Sequence, residues 1–135
     1  MSIKTAVPYE AIQTAVYTLL NGNITGGVYD EVPAGAVHPY TTIDFLPDKE
    51  FEARNVKGRL VLLTLKVFSK DAGGKFECYN IMNEIVALMT ASPLSMVGWR
   101  EVWKTYRSGA PERMDKEAGI NYQGTTTFLI TVCKT

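Results

Sequence analysis

Apolar positions along this chain change period from one stretch to the next, and the changes outline the elements. Tyr9, Ile12, Val16, Leu19 and Leu20 fall at i, i+3, i+7, i+10 and i+11, which draws one apolar stripe along a helix from Pro8 to Leu20. Asn21-Gly22 stops it, because glycine just past a helix end adopts the left-handed conformation without a Cβ clash. Residues 21–39 are rich in Gly, Asn and Pro, with Val28-Tyr29 as a brief strand inside a loop. Pro39 then opens a β-branched and aromatic run, Tyr40 to Phe45, in which Thr41, Ile43 and Phe45 share a face.

The strongest alternation runs from Arg59 to Ser69. Val61, Leu63, Leu65 and Val67 occupy one face, and Leu60, Leu62 and Phe68 the other, so this reads as a central strand with cover on both sides from a helix and a neighbouring subunit. Helical spacing returns with Cys78, Ile81, Met82, Ile85, Leu88 and Met89 and ends at Ser92-Pro93. Trp99 to Arg107 reads as a strand whose faces, Trp99, Glu101 and Trp103 against Arg100, Val102, Lys104 and Tyr106, are both mixed. Tyr122 to Val132 closes the series with Thr126, Phe128, Ile130 and Val132 pointing inward. The order α-β-β-α-β-β, with connections suited to antiparallel pairing and too few helices to cover both faces of a sheet, predicts an α+β fold of mostly antiparallel sheet packed on two helices. Pro47 to Gly58 and Ser108 to Asn121 are expected to be long irregular segments.

Composition narrows the function. A chain of 135 residues suits a single domain, 1–135, around one core. Fourteen basic residues balance fourteen acidic ones, which leaves no field to gather phosphates or an anionic membrane surface. No apolar run reaches the ~20 residues that cross a bilayer, and Met1 to Val7 lack a signal peptide's pattern, so synthesis in the cytosol is expected. Cys78 and Cys133 stand apart without CxxC spacing and read as small buried hydrophobes.

The candidate chemistry is thin. His38 is the only histidine, and its place before Pro39 suits a strand entry rather than a metal or acid-base site. Asp30-Glu31 are adjacent, so on an extended chain they point apart and read as a solvated turn. Gly26-Gly27 and Gly73-Gly74 lack a phosphate-loop frame, and Ser69, Ser92, Ser95 and Ser108 lack a nucleophile elbow. Trp99 with Arg100, Lys104 and Arg107 could stack on a nucleic acid strand, but aromatics covering a sheet or an interface explain them better at zero net charge. The expectation is no enzyme, no cofactor and no metal. The rivals are a small soluble ligand-binding protein or enzyme, which needs a pocket of convergent polar groups, and a nucleic-acid module.

The run Gly27-Val28-Tyr29-Asp30-Glu31-Val32-Pro33, continued by Ala34-Gly35-Ala36-Val37-His38-Pro39-Tyr40-Thr41-Thr42-Ile43, resembles the tail-completion, or tail-to-head joining, proteins of long-tailed bacteriophages, prophages and gene transfer agents. Members of that family have a first helix ending in Leu-Leu, a Val-Tyr-Asp-x-Val-Pro turn and a strand entered at Pro-Tyr. The likeness continues through Val67-Phe68-Ser69, the helix from Phe76 to Met89 and the strand from Gly124 to Val132. It implies a structural virion protein, a tail terminator at the head-tail interface, made in the bacterial host cytoplasm. The implied partners are itself, as a hexameric ring that phage DNA passes through, the tail tube protein, and the head connector or a head-completion protein. No membrane partner and no sequence-specific nucleic acid is implied.

Arg107, Glu112, Arg113, Met114, Asp115, Lys116, Glu117 and Ile120 form the candidate assembly interface. Gly109, Pro111 and Gly119 interrupt any helix, and the charged run offers little apolar area against the ~1–2 kcal/mol per residue that ordering costs. The segment Ser108 to Asn121 is therefore expected to be mobile alone and to order on assembly, with Met114 and Ile120 as single anchors.

Overall fold

The computed structural model describes residues 8–53, 56–70, 74–108, 111–116 and 119–135, with backbone only at 46–53, 56, 57, 74, 107, 108, 111–116 and 119–121. Helix α1 spans Tyr9–Leu20 and is followed by strands β1 (Gly27–Tyr29), β2 (Tyr40–Ala53) and β3 (Val56–Lys70). Helix α2 spans Gly74–Ala91 and precedes β4 (Trp99–Ser108), β5 (Pro111–Lys116) and β6 (Gly119–Lys134). One sheet runs in the order β1-β2-β3-β6-β4, with β5 pairing β6 on the same edge as β4. Every pair is antiparallel except β1 with β2. The α+β architecture of two helices on a mostly antiparallel sheet is therefore the one the hydrophobic pattern describes.

Register decides which face each side chain takes. Val67, Leu65 and Leu63 of β3 lie opposite Thr41, Ile43 and Phe45 of β2 and opposite Gly124, Thr126 and Phe128 of β6. The buried residues of α1 (Ile12, Val16, Leu20) and of α2 (Cys78, Ile81, Ile85, Met89) join this same layer in one core cluster. Both helices thus cover a single face. On the other face Leu60, Leu62, Phe68, Tyr40 and Leu129 are half-buried, so the described residues do not supply the second cover expected for β3.

Polar atoms inside the core are mostly paired. The Thr126 hydroxyl donates to the Leu65 carbonyl at 3.1 Å across the β6–β3 ladder. Ser69 Oγ lies 3.1 Å from Cys78 Sγ, and burial pushes the Cys78 thiol up from its ordinary value while the Ser69 contact pulls it back. Gly124 lets α2 approach the sheet, since a Cβ there would stand 2.7 Å from Met82 Sδ.

Three elements depart from the sequence reading. Pro47 to Gly58 is not irregular: β2 and β3 continue as a ladder to Ala53 opposite Val56. The polar and charged run leaves no apolar alternation to read, and Pro47 falls inside the register shift between Leu46 and Lys49, where no ladder bond from its nitrogen is needed. Ser108 to Asn121 is likewise built as the β5–β6 hairpin, Pro111 opposite Gly124 through Lys116 opposite Gly119, with Pro111 at the tolerated first position of a strand. In β4 a register shift between Glu101 and Trp103 moves the later residues to the opposite phase, so that Trp99, Glu101, Lys104 and Tyr106 align with the inward residues of β6. That bulge is why neither phase of this strand read as apolar.

Candidate assembly surfaces

The Gly27 to Pro39 motif is a packing device. Val28 buries opposite Thr41, while Tyr29 turns to the open face and meets the Tyr40 ring edge-on at 6.0 Å. Tyr40 also packs on Phe68 at 5.1 Å and on His38 at 4.9 Å, which gives the single histidine a structural place in an aromatic group. Gly26 has φ +89, and a Cβ there would collide with the Pro39 carbonyl, so only glycine closes the base of this loop. From the helix side, Glu84 of α2 accepts the Thr25 amide at 3.0 Å and the Thr25 hydroxyl at 2.9 Å, which pins the loop to the core. Residues 30–35 of the same loop stay exposed, among them Asp30, Glu31 and Val32.

The opposite flank is held by charge. Glu101 and Lys104, brought to one side by the bulge, pair at 2.9 Å with both side chains largely buried. Glu101 Oε1 accepts the Leu94 amide at 3.3 Å, and Lys104 Nζ donates to the Ser92 carbonyl at 3.2 Å. The pair so fastens the connection from α2 onto β4. Trp99 is 4 % exposed whereas Trp103 is 66 % exposed, with its indole N–H donating to Thr105 Oγ1 at 2.7 Å. A nucleic-acid platform built on Trp99 and Lys104 is therefore not what this strand presents: one is buried and the other is engaged.

The proposed interface residues come together only in part. Arg107 lies in β4 at the register shift before its last residue, Glu112, Arg113, Met114, Asp115 and Lys116 follow one another along β5, and Ile120 lies on β6 opposite Asp115. Glu117 lies outside the described residues. The β5–β6 hairpin thus collects these residues on one outer arm of the sheet. Sequence reading missed the other flank patch: Val102 and Trp103 take their places through a bulge that no composition signal marks, and exposed Val97 lies in the connection before β4.

The clefts lined by described residues offer little chemistry. A cleft of about 400 Å³ between α1 and the loop before β4 is lined by Thr14, Thr18, Asn23, Ser92 and apolar neighbours, with no titratable side chain. A second, of about 320 Å³, holds Glu101 and Lys104, which already satisfy each other. Among the described residues no three His, Cys, Asp or Glu side chains converge as a metal site would require, and no helix is long and apolar enough to cross a membrane.

Comparison with known proteins bears on both the fold and the family. A chain from the virion of a native gene transfer agent particle superposes with a TM-score of 0.73 at 18% identity, covering 94% of this chain and 98% of that one. At that identity the likeness is one of fold. No curated protein matches in sequence. The family model for tail completion protein gp17 matches residues 11–132, nearly the whole chain, and the protein therefore belongs to that family of phage tail structural proteins.

Proposed function

We propose that this protein caps the finished tail tube as a hexameric ring and joins the tail to the head connector or to a head-completion protein, so that it sits in the virion at the head-tail interface. Membership of the tail completion family carries the reading. The shape of the sheet supports it. β6 has 16 residues, roughly 50 Å at ~3.3 Å per residue, against the usual five or six residues of a strand. The β2–β3 turn lies beyond Gly58 and Cys133 at one end, and the β5–β6 turn lies beyond Lys70 and Asn121 at the other. A joint between two different partners needs two ends that differ, and these hairpins differ in sequence and length.

The β5–β6 hairpin, with Arg107, Glu112, Arg113, Met114, Asp115, Lys116, Glu117 and Ile120, is the assembly contact in this reading. Its mixed charges suit a complementary protein surface better than phage DNA passing through the ring. No catalysis is part of the role. A virus lacking the gene should make filled heads and unattached tails, some of them overlong, when viewed by electron microscopy. Normal infectious particles without the protein would sink the proposal. Replacing residues 109–119 with a short Gly-Ser linker removes β5, so the purified protein should keep its fold at a lowered melting temperature and fail to be incorporated into tails.

A further inference from the structure

Of the nine large hydrophobic side chains exposed among the described residues, Val97, Val102, Trp103 and Tyr106 lie on or just before the edge strand β4, and Val32 and Val37 lie in the loop that leaves the opposite edge strand β1. On the β4 edge Val97 is 88 % exposed, and Val102 and Trp103 accompany it beside exposed Arg100. On the β1 edge Val37 is 80 % exposed and Val32 is exposed too, in the loop that carries exposed Asp30 and Glu31. One flank is apolar and basic; the other is apolar and acidic. A single patch of mixed charge would suit a two-fold contact, in which the same surface meets itself. Two unlike patches on opposite edges are what a rotational ring requires, because each copy must present a different surface to each neighbour.

We infer that the copies in the ring join flank to flank, with Val97, Arg100 and Trp103 of one seated on the Asp30 to Val37 loop of the next. The inference rests on the ring proposed above. Its chemistry is that of a typical interface, an aromatic anchor desolvated among aliphatics with complementary charge at the rim. The bulges in β4 at Val102 and near Arg107 disfavour simple strand addition along that edge, so side chains rather than a continued ladder make the contact. Trp103 is level with Leu60 through Thr131, and Tyr29 is level with Lys66 through Thr42. The two patches are thus offset along the strands, and they meet when the strands incline to the ring axis, as strands do in closed barrels.

Charge reversal tests the pairing. Arg100→Glu alone, or Asp30→Lys with Glu31→Lys, should lower the yield of infectious particles in complementation by about tenfold or more while the melting temperature of the purified protein stays put. The three substitutions together should recover most of the yield. Independently of infectivity, Val37→Cys combined with Trp103→Cys should give, on oxidation of the assembled protein, a ladder of covalent multimers ending in a closed ring. Wild-type yield from either reversal overturns the flank contact, as does a triple variant no better than its parents. Trp103→Cys alone cross-linking to itself would show a two-fold contact and overturn it as well. A normal virus without the gene would instead overturn the joining role and leave the ladder as the reading of the contact.

Discussion

The two faces of the central strand β3 carry similar residues and live in different solvents. Val61, Leu63, Leu65 and Val67 are fully buried under two helices, whereas Leu60, Leu62 and Phe68, one residue out of phase, are only half-buried. The difference lies in what lies across from each. The inward set meets Ile12, Val16, Ile81, Ile85 and Met89, while the outward set shares its face with Thr42, Thr64, Thr125, Thr127 and Thr131. Threonine keeps a strand extended without demanding a partner layer. The open face is therefore sheet without core, and stability should reside almost wholly on the helix side.

The largest test of that contrast pairs two aspartates. Ile85 is fully buried at the middle of the α2 stripe, so Ile85→Asp places an unpaired carboxylate in the core and should cost several kcal/mol, comparable to the ~5–15 kcal/mol that holds a domain together. The protein should not fold. Leu62→Asp on the opposite face leaves the carboxylate wetted and should cost about 1 kcal/mol, mostly in lost contact with Leu129 and in strand preference. Circular dichroism melts of the two variants read the comparison directly. Equal damage from both would mean that the open face is packed already in the free chain.

How much of this was legible from sequence follows the same contrast. The helix-side layer could be read because its alternation and its helical stripes are enforced by burial: Val61 to Val67, Phe128 to Val132 and Cys78 to Met89 all fall where their periods put them. The β2 extension past Phe45 and the whole of β5 were hidden, since their polar and charged sequence carries no apolar period to reveal them. The bulge in β4 was hidden for another reason. A one-residue insertion inverts the phase of all that follows, and only cross-strand register records it. The family resemblance was legible in the Gly27 to Pro39 motif because its two ends are fixed by packing, with Val28 inward, Tyr29 on Tyr40 and Pro39 against the neighbouring Gly26. The interface residues were not tested by packing of any kind, and the sequence marked them only by charge.

A middle-sized effect is expected at the edge where the two faces meet. Glu101→Gln removes the negative charge beside Lys104 while keeping an amide oxygen that can still accept from Leu94, so a nearly buried ammonium loses its counter-charge and keeps neutral acceptors. The loss should be about 1–2 kcal/mol, below the cost of stranding a rigidly buried charge, because the lysine stem can swing its head to water. The β4 end of the sheet should then loosen first. Faster amide exchange at Arg100 and Val102, with unchanged exchange at Leu63 and Leu65, would show that the ion pair secures the flank rather than the core; uniform acceleration would show the reverse.

The finest test uses two adjacent threonines of β6 that differ only in the face they take. Thr126 is fully buried opposite Leu65 and donates its hydroxyl to the Leu65 carbonyl, while Thr127, opposite Thr64, is half-exposed on the open side. Thr126→Val preserves shape and β-branching, and adds an apolar methyl where a donor stood. The carbonyl it leaves retains its place beside the ladder but loses one bond, and the net cost should be about 1 kcal/mol. Thr127→Val breaks no hydrogen bond found among the described residues and presents a methyl to water, so it should shift stability by less than ~0.5 kcal/mol in either direction. The pair shares backbone, strand and side-chain volume, so the difference between the two melts isolates the environment of the hydroxyl. If Thr126→Val proves neutral, the buried methyl has offset the lost bond, and the inward face tolerates polarity less than its paired hydroxyl suggests. If Thr127→Val is the costlier of the two, the open face is already organised around its threonines before any second copy arrives.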